Sequence, residues 1–71
     1  MDVVQFNRDN ENELIEFLGY NGFIDGDEVV VHSLEKREFR APRGSYVVKG
    51  VEGEMWIVQE SIFEKTYERV E

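Results

Sequence analysis

The side chains able to do chemistry are few, and none stands in a recognisable catalytic arrangement. His32 is the single histidine. Acid–base work needs a partner that positions the ring, and a strand-surface role fits His32 better. Ser33 and Ser45 could supply hydroxyls, but neither sits in a nucleophile-elbow motif. Asp25-Gly26-Asp27 holds two carboxylates around a glycine, yet a calcium loop needs further oxygen ligands at set spacing and a distal glutamate. Gly50-x-x-Gly53 lacks the Lys-Ser/Thr and the helix of a phosphate loop. Pairs such as Glu52/Glu54 arise readily in a chain with 16 acids. A chain of 71 residues leaves little room for a water-excluding pocket. The expectation is a non-enzyme with no cofactor and no metal.

Charge is the stronger signal. Sixteen acids face eight bases, for a net charge of −8. Nucleic-acid backbones are bound through Lys and Arg, so direct nucleic-acid binding is disfavoured. The charges are also sorted. From Asp9 to Glu35 every charged residue is an acid, whereas Lys36, Arg37, Arg40, Arg43 and Lys49 follow with only Glu38 among them. One reading is a solvated acidic helix face beside a basic hairpin. The other is an acidic surface that binds a basic partner. There is no cysteine, no apolar run long enough for a membrane helix and no signal-peptide pattern at Met1–Phe6. These features predict a soluble cytoplasmic protein, with no membrane partner.

One small domain over residues 1–71 must position these groups. Val3–Phe6 reads as a strand with Val4 and Phe6 on one face. Asn10-x-x-Glu13 resembles a capping arrangement for a helix from Glu11 to Leu18. Leu14, Ile15, Phe17 and Leu18 form its apolar stripe, and Gly19 stops it. Phe23-Ile24 reads as a brief strand. Glu28–Leu34 is the clearest strand, with Val29 and Val31 opposite Val30, His32 and Leu34. Arg37–Ala41 returns with Phe39 and Ala41 inward, and Pro42 ends it.

The glycine-framed stretch Gly44–Val58 reads as strand, tight turn at Gly50–Gly53, and strand. One helical turn at Ser61–Lys65 and an extended piece at Thr66–Val70 follow. The predicted class is α+β: a four- to five-stranded, mostly antiparallel sheet with the N-terminal helix on one face and a short C-terminal helical turn. The strand Glu54–Gln59 is apolar on both faces, with Trp56 and Val58 opposite Met55 and Ile57. A sheet covered on one side should show polar residues on the other. Two readings fit: core plus overhanging loops, or a hydrophobic partner site.

Two resemblances attach to quoted residues. Asn10-x-x-Glu13-Leu14-x-x-Phe17-Leu18-Gly19, Gly44-x-Tyr46-Val47-Val48-Lys49-Gly50-Val51-x-Gly53-Glu54-x-Trp56 and Ile62-Phe63-Glu64-Lys65-Thr66-Tyr67-Glu68 resemble a family of small proteins of tailed phages and prophages. That family usually has Pro-Asp where this chain has Glu60-Ser61. The resemblance implies origin and fold, not mechanism.

Ile57-Val58-Gln59-Glu60-Ser61-Ile62 is similar to the Gln-Glu-Ser-Ile segment of the phage uracil-DNA glycosylase inhibitor family. Those inhibitors are acidic DNA mimics whose motif strand enters the DNA groove of the enzyme. A hydrophobic pocket takes up the apolar side chain that the enzyme would wedge into the duplex. The resemblance implies that Gln59, Glu60, Ser61 and Ile62 form the probe and that Met55, Ile57 and Trp56 line the pocket, with Glu64 adding charge. Glu60, Glu64 and Glu68 have helical spacing, and Glu11–Glu16 could give a second acidic row. The expected partner is the basic DNA-binding groove of such an enzyme. The alternatives are a phage accessory module that self-associates or binds another phage protein, and an inhibitor of a different bacterial defence nuclease.

Overall fold

The computed structural model describes residues 2–33, 35 and 37–67, with side chains described as far as Phe63. The elements, in order, are β1 (Asp2–Gln5), α1 (Glu11–Leu18), a single 3-10 turn (Gly19–Asn21), β2 (Gly22–Asp25), β3 (Glu28–His32), β4 (Glu38–Pro42), β5 (Tyr46–Lys49), β6 (Met55–Val58) and α2 (Glu60–Tyr67). The α+β class stands. The single sheet does not: the strands form two three-stranded antiparallel sheets, β1-β5-β6 and β2-β3-β4. We call them sheet A and sheet B. The first strand passes over its sequence neighbours to pair with β5, from Asp2 opposite Lys49 to Gln5 opposite Tyr46.

The inner faces of the two sheets and α1 enclose one core. Phe6, Leu14, Leu18, Val29, Val31, Ala41, Val47 and Met55 are buried there. Val4, Phe17, Ile24 and Ile57 pack against them. The predicted alternation holds in β3, where Val29 and Val31 face the core. It holds at β1, where Val4 faces the core with Phe6, the residue just past the strand's end. In α1 the apolar stripe is narrower than expected, because Ile15 is exposed while Leu14 and Leu18 are buried.

Local devices shape the joints. Asn10 does not cap α1 with its side chain. Its amide instead donates to the Gln5 carbonyl, and its Oδ1 accepts the Asn7 N–H at 3.0 Å. It therefore fastens the β1–α1 loop and does not form the expected cap. Gly19 ends the helix with φ of +56°, in the left-handed region that favours glycine.

Pro42 ends β4, as the sequence predicts, and is itself the strand's last residue. The N–H of Ser33 donates to the Arg37 carbonyl and that of Arg43 to the Asp27 carbonyl. Hydrogen-bonded positions on β4 are thus the odd-numbered ones from Arg37 to Arg43. Pro42 falls where the backbone N–H would point away from β3, so its missing donor costs the ladder nothing.

Gly22 is required by a close approach. A Cβ there would strike the backbone carbonyl of Val30 and crowd Leu18 Cδ2 at 3.2 Å. A backbone oxygen cannot swing aside as a side chain would. Gly22→Ala should lower the unfolding free energy by about 1–3 kcal/mol, as overpacking does, measurable by urea denaturation. An unchanged midpoint would contradict this packing.

The apolar character of both faces of β6 has a structural cause. Met55 and Ile57 face the core between the sheets. Trp56 and Val58 lie on the opposite face, in register with Val48 and Tyr46. That outer face meets α2: the rings of Tyr46 and Phe63 stack at 3.8 Å between centroids and 13° between planes. Val48, on the same face, is fully buried. Sheet A is thus covered on both sides. The C-terminal helix runs to Tyr67, two turns instead of the single turn expected. The extended piece foreseen over Thr66–Val70 is helical at Thr66, and its remainder beyond Tyr67 lies outside the described residues.

Candidate functional site

The basic residues that follow Glu35 are mostly committed within the molecule. Arg40 lies on the outer face of sheet B, where it donates from Nε to Glu38 at 2.9 Å and from Nη1 to Asp25 and Glu28 at 3.1 Å each. Hydrogen bonds from Asp25, then Glu38 and Glu28, hold its guanidinium charged and raise its pKa above the ordinary arginine value. Arg40 pairs across the strands with Val30, which is buried although it faces outward.

Arg43 draws together the other joint. It donates to Glu11 at 2.6 Å, to Asp27 at 3.0 Å, and to the carbonyls of Asn7 and Gly26 at 2.9 and 3.2 Å. Its guanidinium carbon sits 4.5 Å from the centroid of the Phe6 ring. The Glu11 hydrogen bond, followed by that of Asp27, raises its pKa. Lys49 Nζ lies 4.6 Å from the Phe17 ring centroid.

Two consequences follow. The basic hairpin foreseen from the sequence is not a free basic surface. Part of the acidic run is also spent: Asp25, Glu28, Asp27 and Glu11 are bound to arginines, so the Glu11–Glu16 row keeps only Glu13 and Glu16 without an ion pair. Asp2, Asp9, Glu52, Glu54 and Glu60 likewise have no ion pair among the described residues. With Asp25 and Asp27 each bonded to a different arginine, the Asp-Gly-Asp turn presents no open ligand pair. His32 is an exposed strand residue, its Nε2 4.0 Å from Glu38 and its ring tilted against Phe23 at 6.0 Å.

The predicted probe is divided between elements. Ile57 and Val58 close β6, Gln59 connects, and Glu60, Ser61 and Ile62 form the first turn of α2. The resemblance implied a motif strand through these residues. Here the backbone turns into a helix at Glu60, stabilised by the Phe63 N–H donating to the Gln59 carbonyl at 2.8 Å. Gln59, Glu60 and Ser61 are exposed, and Ile62 is 51% exposed. The Glu60 carboxylate leans over the Gly44 turn, 2.6 Å from where a Gly44 Cβ would stand. Glu64 follows one turn later on the same helix, while its side chain and Glu68 lie outside the described residues.

The predicted pocket residues separate too. Met55 is 5% exposed and belongs to the core, and it reaches the surface only where it lines a depression with Ser33, Glu35, Arg37, Phe39 and Glu54. Trp56 and Ile57 join Phe39, Arg40, Ala41, Pro42 and Gln59 around a trough of about 260 Å³ between β4 and β6. Phe39 was expected inward with Ala41. Ala41 is buried, but Phe39 is 44% exposed at the mouth of this trough. The depression continues past Pro42 and Gln59 to Ser45, Glu60 and Ser61. At its other end it reaches Ser33, Glu35, Arg37 and Glu54. Sequence reasoning missed Phe39 and Pro42 as site residues. The only signal was that a bulky aromatic and a proline share one strand with a strictly apolar strand elsewhere.

The anchoring of α2 decides whether Gln59–Ile62 is presented at all. Phe63→Ala should remove about 0.5–1.5 kcal/mol of ring contact beyond the lost burial. Its NMR spectrum should show shifts at Tyr46 and across α2 with sheet B unmoved. Shifts spread evenly over both sheets would contradict this local role.

No helix among the described residues is long and apolar enough to cross a membrane. No family model, no curated protein and no solved structure matches the chain.

Proposed function

We propose that the protein is a non-catalytic acidic inhibitor that occupies the basic DNA-binding groove of a DNA-processing enzyme by imitating DNA charge. Uracil-DNA glycosylase is the most concrete partner. The observation that carries this reading is the internal commitment of the arginines. Arg40 and Arg43 are each enclosed by carboxylates. The net charge of −8 is therefore expressed outward through acids that have no ion pair among the described residues. A row of fixed carboxylates attracts a groove that has evolved to bind phosphates. The likeness at Gln59–Ile62 supports the glycosylase among such enzymes, and its exposed position leaves Gln59, Glu60, Ser61 and Ile62 available for contact.

A displacement experiment tests the reading. A fluorescent uracil-containing duplex on catalytically inactive glycosylase should be released by equimolar protein at about 0.05 M salt, and less readily at about 0.2 M. Duplex that stays bound at low salt under a large excess of protein would rule the glycosylase out. Release from another DNA-binding nuclease in the same format would point to the defence-nuclease alternative.

A second reading is favoured by the trough, where Phe39 is exposed beside Trp56 and Ile57. An accessory module that assembles with itself or with another protein would use that surface. Met55 belongs to the core and offers that surface little area, whereas Ile57 lines the trough while packing against the core. Sedimentation showing a stable homo-oligomer at micromolar protein would favour this second reading.

A further inference from the structure

The asparagines of the chain are Asn7, Asn10, Asn12 and Asn21, and the first three are poorly placed for reaction with their own backbone. Asn7 accepts the Asp9 N–H at its Oδ1, 3.0 Å away. Asn10 is fastened to Gln5 and Asn7. Asn12 lies inside α1. Each precedes Arg or Glu, whose Cβ shields the next backbone nitrogen.

Asn21 differs on every count. It is exposed at the end of the 3-10 turn, and its side-chain amide has no hydrogen-bond partner among the described residues. It precedes Gly22, which has no Cβ to shield its nitrogen. That nitrogen also lies outside the strand ladder. The Ser33 N–H donates to the Arg37 carbonyl, so the odd-numbered residues of β3 turn their backbone groups toward β4. Gly22 stands opposite Val31 and makes no ladder bond to β3. Only the closing i→i+3 bond of the 3-10 turn falls on its N–H, and such bonds have poorer geometry than α-helical ones.

We propose that Asn21 is a site of spontaneous deamidation, with water as the only co-reactant, and that its isoaspartyl product loosens the joint between α1 and β2. The Gly22 nitrogen gives up its proton and attacks the side-chain carbonyl carbon of Asn21. A C–N bond forms to close a five-membered imide, the bond from that carbon to the amide nitrogen breaks, and ammonia carries the proton away. One water then opens the imide at either carbonyl. Opening on one side leaves aspartate; opening on the other leaves isoaspartate, with the main chain routed through the side-chain carbon. Nothing is oxidised or reduced.

Both products add a carboxylate to a chain already at −8. Only the isoaspartyl form lengthens the main chain, by one carbon immediately before Gly22. A Cβ at Gly22 would strike the Val30 carbonyl and lie 3.2 Å from Leu18 Cδ2, so this backbone has no slack. The added atom must displace β2 or the end of α1. The same packing keeps glycine at position 22, so the reactive step persists. The other candidate step, Asp25-Gly26, is restrained: Arg40 holds the Asp25 carboxylate at 3.1 Å, and an ionised carboxylate is a poor electrophile. The inference is independent of the inhibitor reading.

The test incubates the full chain in warm, mildly alkaline buffer and follows it by intact mass and fragmentation. Asn21 should show the mass change of an amide becoming an acid, faster than Asn7, Asn10 or Asn12, at a rate that rises with pH. Asn21→Ser should abolish the fast conversion. The isoaspartyl fraction, isolated by chromatography, should unfold at lower urea than the parent and shift the Gly22 and Val30 amides. Asn21→Asp, which carries the same charge on an unaltered backbone, should keep the parent midpoint. Conversion at Asn21 no faster than at the other three asparagines would overturn the site. An isoaspartyl fraction with the parent midpoint would overturn the loosening of the joint.

Discussion

Phe6→Ala is expected to leave little folded protein at room temperature. Phe6 is fully buried, and it touches both halves of the molecule. Its backbone N–H donates to the Ser45 carbonyl at 2.8 Å, and its carbonyl accepts from Gly44. Its ring lies under the Arg43 guanidinium, which in turn binds α1 through Glu11 and the β2–β3 turn through Asp27. Removing a buried phenylalanine ring typically costs about 3–5 kcal/mol. A domain this small has a total stability toward the lower end of about 5–15 kcal/mol. Circular dichroism through a urea titration should show the loss, with Ile15→Ala, at an exposed helix position, close to the parent. A Phe6→Ala midpoint near that of the parent would mean that the core does not hinge on this ring.

The second large effect concerns the surface. Glu60→Lys should weaken enzyme binding by about tenfold at low salt, whereas Glu35→Lys should have much less effect. Glu60 is exposed in the first turn of α2, beside Gln59 and Ser61. Glu35 is also exposed, 82% at its side chain, and lies 4.0 Å from Arg37 at the opposite end of the trough. Both changes alter net charge equally, so the comparison separates position from bulk electrostatics. Equal losses would mean that only net charge matters. Both variants should unfold at nearly the parent midpoint.

Much of the local structure is legible in the sequence, because it follows local rules. Periodicity and Gly19 place α1 at Glu11–Leu18. The alternation of Val29, Val30 and Val31 gives the core face of β3. Partition into two sheets is not legible, since it depends on β1 pairing with β5 across most of the chain. No local residue pattern states that choice. For the same reason the double apolar face of β6 was ambiguous: its outer face is covered by Phe63 on α2, whose docking is a tertiary fact.

The site was less legible still. Sorting of charge along the chain suggested a basic hairpin, but Arg40 and Arg43 find their carboxylates at sequence separations of 12 to 32 residues, apart from Glu38 nearby. A one-dimensional charge pattern cannot show such pairing. The helical turn expected from Ser61 begins one residue earlier, at Glu60, so Gln59–Ile62 spans a connection and the first turn of α2. The apolar pattern on both sides of β6 left open which face is buried, and the face carrying Met55 is the core one.

The most direct measurement is uracil excision by purified uracil-DNA glycosylase as the protein is titrated in. Inhibition that is complete near one protein per enzyme at low salt, and that Glu60→Lys relieves more than Glu35→Lys, is the predicted result. Undiminished excision at micromolar protein would contradict the claim that this acidic surface fills the DNA groove of that enzyme.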